Sequence, residues 1–195
     1  MAIVLKQYQK EAVEMAVKED YNMICIQAGR GKSLVGAFYA RVLFKHNLVD
    51  KIIYASTKTG VGSIKKAFTK RCGVPINQYD DPSDVMNFLI SDEKVCVVKH
   101  SMFEKLGLDE TYRTSLRTLM THHYQRIALV IDEAHKISNT EGVGFFAFQN
   151  LRFMFERISV HTATPYSSCL SQIYGLIEMV RPGLYKSKSD FFKQH

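Results

Sequence analysis

Short apolar runs alternate with segments of helical period along most of this chain. Tyr8 to Lys18 places Tyr8, Ala12, Met15 and Ala16 at helical spacing and predicts a helix. Met23-Ile24-Cys25-Ile26 follows as a short apolar run and reads as a buried strand. A second helix is predicted over Ser33 to Phe44, with Leu34, Ala37, Phe38, Arg41 and Val42 forming its repeat. The pattern then recurs, with a strand at Ile52 to Ala55 and a helix from about Ser63 to Lys70. A polar turn around Asp80-Asp81-Pro82-Ser83 leads to a helix near Val85 to Leu89 and a strand at Val95 to Val98. Thr114 to Thr121 reads as helix, Ala128 to Ile131 as strand, and Arg157 to Val160 as a further strand. Such alternation implies an α/β fold, a mostly parallel sheet with helices on both faces. Ligands in these sheets gather at the carboxyl ends of the strands.

Two of those strand ends carry chemistry. Ala28-Gly29-Arg30-Gly31-Lys32-Ser33 follows the first strand and opens a predicted helix. Glycines let backbone N–H groups cradle phosphate oxygens, the lysine neutralises them, and the serine hydroxyl suits Mg²⁺. The helix dipole adds to anion binding. A full phosphate-loop pattern would place a glycine five residues before Gly31, where this chain has Ile26. Arg30 reads either as a contact to phosphate or partner, or as a solvated side chain. The second strand end is Asp132-Glu133, directly after Ile127 to Ile131. Adjacent carboxylates there suit holding Mg²⁺ and orienting an attacking water. Lys32, Asp132 and Glu133 are therefore the candidate catalytic residues, Ser33 and Asp132 the candidate metal ligands, and Mg·ATP the expected ligand. His135 has no second histidine or cysteine at ligand spacing, so a zinc site is not expected.

Composition narrows the picture. The 195 residues suffice for one well-buried α/β domain and are few for two, and 46% hydrophobic content argues against disorder. A net charge of +7 favours a polyanionic partner without proving one. Lys65-Lys66 and Lys70-Arg71 read as part of a basic surface or as a solvated helix face. The four cysteines show no paired-ligand pattern; Cys25 and Cys96, inside apolar runs, read as reduced core thiols. The apolar start, Met1 to Leu5, is too short for a signal peptide, and no run approaches the ~18 apolar residues of a membrane span. A reducing, cytoplasmic setting is expected, without membrane contact.

Together the motifs resemble the first RecA-like lobe of superfamily-two helicases and translocases, and within it the Swi/Snf-type ATPases. Leu5-Lys6-Gln7-Tyr8-Gln9 looks like the opening Leu-x-x-Tyr-Gln segment of that family. Asp132-Glu133-Ala134-His135-Lys136-Ile137-Ser138-Asn139 looks like its Asp-Glu-Ala-His box with the trailing Lys-Asn. Thr162-Ala163-Thr164-Pro165 resembles the Thr-Gly-Thr-Pro motif with Ala163 in place of glycine, and Arg181-Pro182-Gly183-Leu184-Tyr185 resembles the segment beyond it. The likeness spans about Leu5 to Phe192.

The resemblance implies a RecA-like P-loop domain over residues 1–195 in which Gln9 reads adenine. It implies DNA-backbone contacts near Thr57 and Lys58, where the family's proline is missing, and near His100 and Ser101. It assigns Thr162, Ala163 and Thr164 to coupling between nucleotide state and DNA. Family members hydrolyse ATP between two such lobes, and this chain is expected to hold only the first, nearly inactive alone. The partner expected is DNA, most simply duplex, gripped by its phosphates. A small viral or bacterial enzyme, working in a bacterial cell or an infected host cell, fits better than a nuclear remodeller. The rival readings are a non-catalytic nucleic-acid or partner-binding module with a vestigial nucleotide site, and an unrelated P-loop nucleotidase or small-molecule kinase.

Overall fold

Apolar side chains on alternate residues of the central strands divide the interior into two cores. In β2 (Lys51–Ser56), Ile53 and Ala55 face one core, while Ile52 and Tyr54 face the other. β5 (Ile127–Ile131) does the same with Leu129 and Ile131 against Ala128 and Val130. Both strands are buried along their whole length, as interior strands of a covered parallel sheet must be. The computed structural model describes residues 4–123, 125–165 and 170–195. Met1 to Ile3 and Cys169 lie outside the described residues.

The remaining strands are β1 (Tyr21–Cys25), β3 (Asn77–Tyr79), β4 (Val95–Lys99) and β6 (Arg157–Thr162). All neighbours pair in parallel, in the order β1-β6-β5-β2-β4-β3. One face carries α1 (Gln7–Lys18), α2 (Lys32–Lys45) and α3 (Val61–Lys66), whose Val13, Val35, Leu43 and Ile64 fill the smaller core. The other carries α4 (Pro82–Ile90), α5 (His100–Leu108), α6 (Glu110–His122), α7 (Val143–Leu151) and α8 (Leu170–Val180), through Phe88, Phe103, Leu116, Phe148 and Leu176. α9 (Lys188–Gln194) packs back on α8 through Phe191 and Tyr174.

The α/β expectation is met, with every strand parallel. Helix ends differ where caps decide them. Asp81 accepts the Ser83 N–H and Pro82 occupies the first turn, so α4 begins inside the segment read as a turn. Asp109 caps α6 in the same way, so that helix begins at Glu110, four residues before the expected start at Thr114. α3 runs on as a π-helical turn, Ala67–Cys72.

β1 is a correction. It was expected to be buried, but it pairs only with β6 and forms an edge, so only Ile24 faces the core and Cys25 is exposed. Cys96, in interior strand β4, is a buried thiol as expected, and burial pushes its pKa far up. No helix among the described residues is long and apolar enough to cross a membrane.

Candidate active site

Strand register brings the separated motifs onto one edge of the sheet. Cys25 lies opposite Thr162, Ile131 opposite Val160, and Ala55 opposite Ile131. The segments that leave the ends of β1, β6, β5 and β2 therefore meet. These segments are Ala28–Ser33, Ala163–Pro165, Asp132–His135 and Thr57–Gly60.

The glycine loop turns through left-handed backbone at Gly29 (φ 76°) and Gly31 (φ 85°). Gly31 caps α2, and its carbonyl accepts from Leu34 and Val35. The N–H groups of Lys32 and Ser33 have no partner within the helix and are free for an anion. The positive φ at Gly31 calls for glycine, and a Cβ there would displace the Gln9 amide, whose Nε2 would stand 2.5 Å away. Gln9 is buried against this loop. Its Nε2 donates to the Arg30 carbonyl (2.9 Å) and its Oε1 accepts from the Lys6 N–H (3.0 Å). Tyr8 Oη donates to the same Arg30 carbonyl at 2.8 Å, while Ala28 and the Arg30 side chain are exposed. One amide hydrogen and one lone pair on Gln9 remain open, which is a donor–acceptor pair.

Lys32 is buried at the start of α2 and reaches both carboxylates. Its Nζ stands 3.0 Å from Asp132 Oδ1 and pairs with Glu133 Oε1. Asp132 is almost wholly buried. Its Oδ2 accepts from Ser56 Oγ at 3.2 Å. Its Oδ1 shares charge with Lys32 but takes no well-directed hydrogen bond. A buried carboxylate oxygen in that position has an open coordination valence, and Ser33 stands beside Lys32 on the same turn. These donors fit a hard divalent cation. Glu133 holds a left-handed backbone (φ 51°), rare outside glycine, which turns its carboxylate back toward Lys32.

Two histidines tie this centre to its surroundings. His100 Nε2–H donates to the Asp132 carbonyl at 2.8 Å, so His100 faces the acidic strand end while Ser101 is exposed. His135 Nδ1 lies 3.0 Å from Thr162 Oγ1 and 3.4 Å from both Thr164 Oγ1 and Glu133 Oε2. Burial depresses the pKa of both histidines, so each is neutral near pH 7. Thr164 N–H donates to Thr162 Oγ1 at 3.2 Å, and Ala163 is part of that turn. Thr57 Oγ1 accepts from the Gly60 N–H at 3.1 Å and closes its own turn, whereas Lys58 is exposed. Lys58 and Ser101 follow adjacent strand ends, since Ser56 pairs with Lys99 in the β2–β4 register.

Beneath the loop runs a buried polar chain with no signature in the sequence. Ser159 Oγ–H donates to Asn22 Oδ1 at 2.6 Å, so its oxygen accepts from His161 Nε2–H at 2.9 Å. His161 Nδ1 then accepts from Tyr54 Oη–H at 3.2 Å. Full burial, with Lys32 nearby, lowers the His161 pKa to about 3. Ser56 opens the Ser56–Thr59 segment whose hydroxyls suit phosphate contacts by resemblance, but it is buried and its hydroxyl donates to Asp132 Oδ2.

A profile of the SNF2-related domain matches residues 76–195. No curated protein matches the sequence. Among solved structures, the Sulfolobus solfataricus SWI2/SNF2 ATPase core in complex with dsDNA superposes with a TM-score of 0.76 at 17% identity, covering 99% of this chain and 39% of that one. The same organism's SWI2/SNF2 ATPase core domain gives 0.76 at 18% identity, covering 99% and 38%. The UvsW helicase of bacteriophage T4 gives 0.64 at 14% identity, covering 89% of this chain and 58% of that one. The chain thus spans less than two fifths of the archaeal proteins, and its fold is that of a RecA-like lobe.

Proposed function

The chain belongs to the SNF2-related domain family, and from that premise we propose that it is the ATP-binding lobe of a DNA-dependent motor. The observation that carries this reading is the meeting of Lys32, at the amino end of α2, with the buried Asp132 and Glu133 at the end of β5. A cation, an orphaned carboxylate oxygen and free helix-end N–H groups converge there, and a Mg·triphosphate complements all three.

In this reading the loop from Ala28 to Ser33 wraps the phosphates and Lys32 neutralises them. Ser33 and Asp132 hold Mg²⁺, which screens phosphate charge when bound. Glu133 orients the attacking water and takes its proton. Gln9 meets the adenine edge with its remaining donor and acceptor. Neutral His135, touching Thr162 and Thr164, carries the state of Glu133 to the turn after β6. Neutral His100 links the α5 start to the backbone of Asp132. Lys58, Ser101 and the Thr57 turn contact DNA phosphates, with no base reading. The archaeal core whose fold this chain shares was solved with dsDNA, which supports duplex as the track. A second RecA-like lobe in the intact protein closes the site and supplies arginines, a contribution worth powers of ten in rate. The setting is a reducing cytoplasm, bacterial or that of an infected host.

The test is ATP turnover by the 195-residue chain and by a protein extended through a second lobe, each with and without duplex DNA. Turnover confined to the longer protein and raised by DNA supports the proposal. Robust turnover by the short chain alone replaces it with a self-contained nucleotidase.

A further inference from the structure

A cavity of about 520 Å³ opens beside the glycine loop, on the side away from the acidic pair. Gln9 and Tyr8 form one wall, and Gly29 to Gly31 form the floor. The opposite wall is α3 and its π-helical continuation, presenting Ser63, Lys66 and Arg71. No carboxylate lines it and neither does Lys32, whereas Ser33, the candidate Mg²⁺ ligand, is one of its lining residues. A nucleotide whose phosphate end meets Ser33 and the acidic pair therefore finds room in this cavity for its remainder.

Two cations on that wall have no structural employment. Lys66 and Arg71 are exposed and form no ion pair among the described residues. Their spacing is informative. Residues five apart on an α-helix point about 140° away from each other. Here the helix widens after Lys66 into the π-turn Ala67–Cys72, closed by the Gly73 N–H bonding to the Phe68 carbonyl five residues back. A wider turn returns the fifth residue toward the first, which places both cations on the same cavity wall. π-Turns are rare and are frequently found at functional sites.

Resting on the ATP-site reading above, we propose that Lys66 and Arg71 grip the α-phosphate and ribose of the nucleotide from the wall facing Gln9. The guanidinium fork of Arg71 suits paired phosphate and hydroxyl oxygens, and Lys66 adds a point charge. These contacts belong to the part that ATP and ADP share. They set affinity for both nucleotides alike and leave the hydrolysis step untouched.

Calorimetric titration of the intact protein with ATP and with ADP tests this, using Lys66→Ala, Arg71→Ala, Arg71→Lys and Lys32→Ala. Lys66→Ala and Arg71→Ala should each weaken ATP and ADP by the same factor, about five- to tenfold. Arg71→Lys should recover part of the loss, with unchanged circular dichroism throughout because both side chains are exposed. Affinities within about twofold of wild type, in a protein that loses ATP on Lys32→Ala, overturn this inference and leave the site reading standing. A loss for ATP without one for ADP also overturns it, by moving the contact to the γ-phosphate. Wild-type protein that binds neither nucleotide overturns both.

Discussion

Nζ of Lys32 lies 3.0 Å from Oδ1 of Asp132, and both side chains are buried. The lysine holds together two carboxylates that would otherwise repel in a poorly solvated place. It is also the group a triphosphate needs. Lys32→Ala therefore has two expected outcomes. ATP affinity should fall at least about a hundredfold in calorimetric titration. The fold should persist, but with stability lower by about 3 kcal/mol in urea unfolding, because Asp132 is left as a buried charge without its cation. Unaltered ATP affinity removes the phosphate-loop assignment.

Glu133 is less buried than Asp132, and besides Lys32 its carboxylate has only His135 Nδ1 at 3.4 Å among the described residues. Glu133→Gln keeps size and most packing while removing the base. In the two-lobe protein, ATP binding should stay within a few-fold and turnover should fall by about 10² to 10⁴. Undiminished hydrolysis takes Glu133 out of the mechanism.

The buried His161 predicts a pH dependence. Its folded pKa of about 3 lies below the ordinary value of 6.5, so protonation favours the unfolded chain. The stability it contributes is full above about pH 6.5 and drains away as pH falls toward about 3. His100 and His135 are depressed in the same direction and steepen the loss. Between pH 4 and 6, wild-type stability should fall faster than that of His161→Gln by about 1.4 kcal/mol per pH unit, one proton's worth. Parallel slopes for the two proteins would falsify the neutral, buried His161.

Gly175 in α8 marks where that helix seats on the segment after the acidic box. A Cβ there would lie 1.7 Å from the Ser138 carbonyl oxygen, a backbone atom that cannot swing aside. Gly175→Ala should cost about 3 kcal/mol or more and displace the box. Unfolding midpoint and ATP affinity, measured on one preparation, check both effects. A variant as stable as wild type shows that α8 can shift at no cost.

The primary structure alone settled what local chemistry can settle. Val95 to Val98 and Ile127 to Ile131 are apolar on every residue, which only covered parallel strands require, so the sheet was legible. Gly29 to Ser33 and Asp132-Glu133 were legible because few residue types serve phosphate and Mg²⁺. α7 was not, since VGFFAFQNL is apolar almost all round and shows no helical stripe. The three-residue β3 exists only through its pairing with β4.

Tertiary structure decided the rest. Strand order, which no local pattern encodes, made β1 an edge and exposed Cys25. Register brought Thr162 to His135 and Tyr54 to His161, pairs whose members are far apart in the chain. The π-turn turned Lys66 and Arg71 toward one cavity, though as letters they read as a solvated basic run. Residue chemistry is a property of the position itself, whereas which charges share a site depends on distances that only the packed sheet sets.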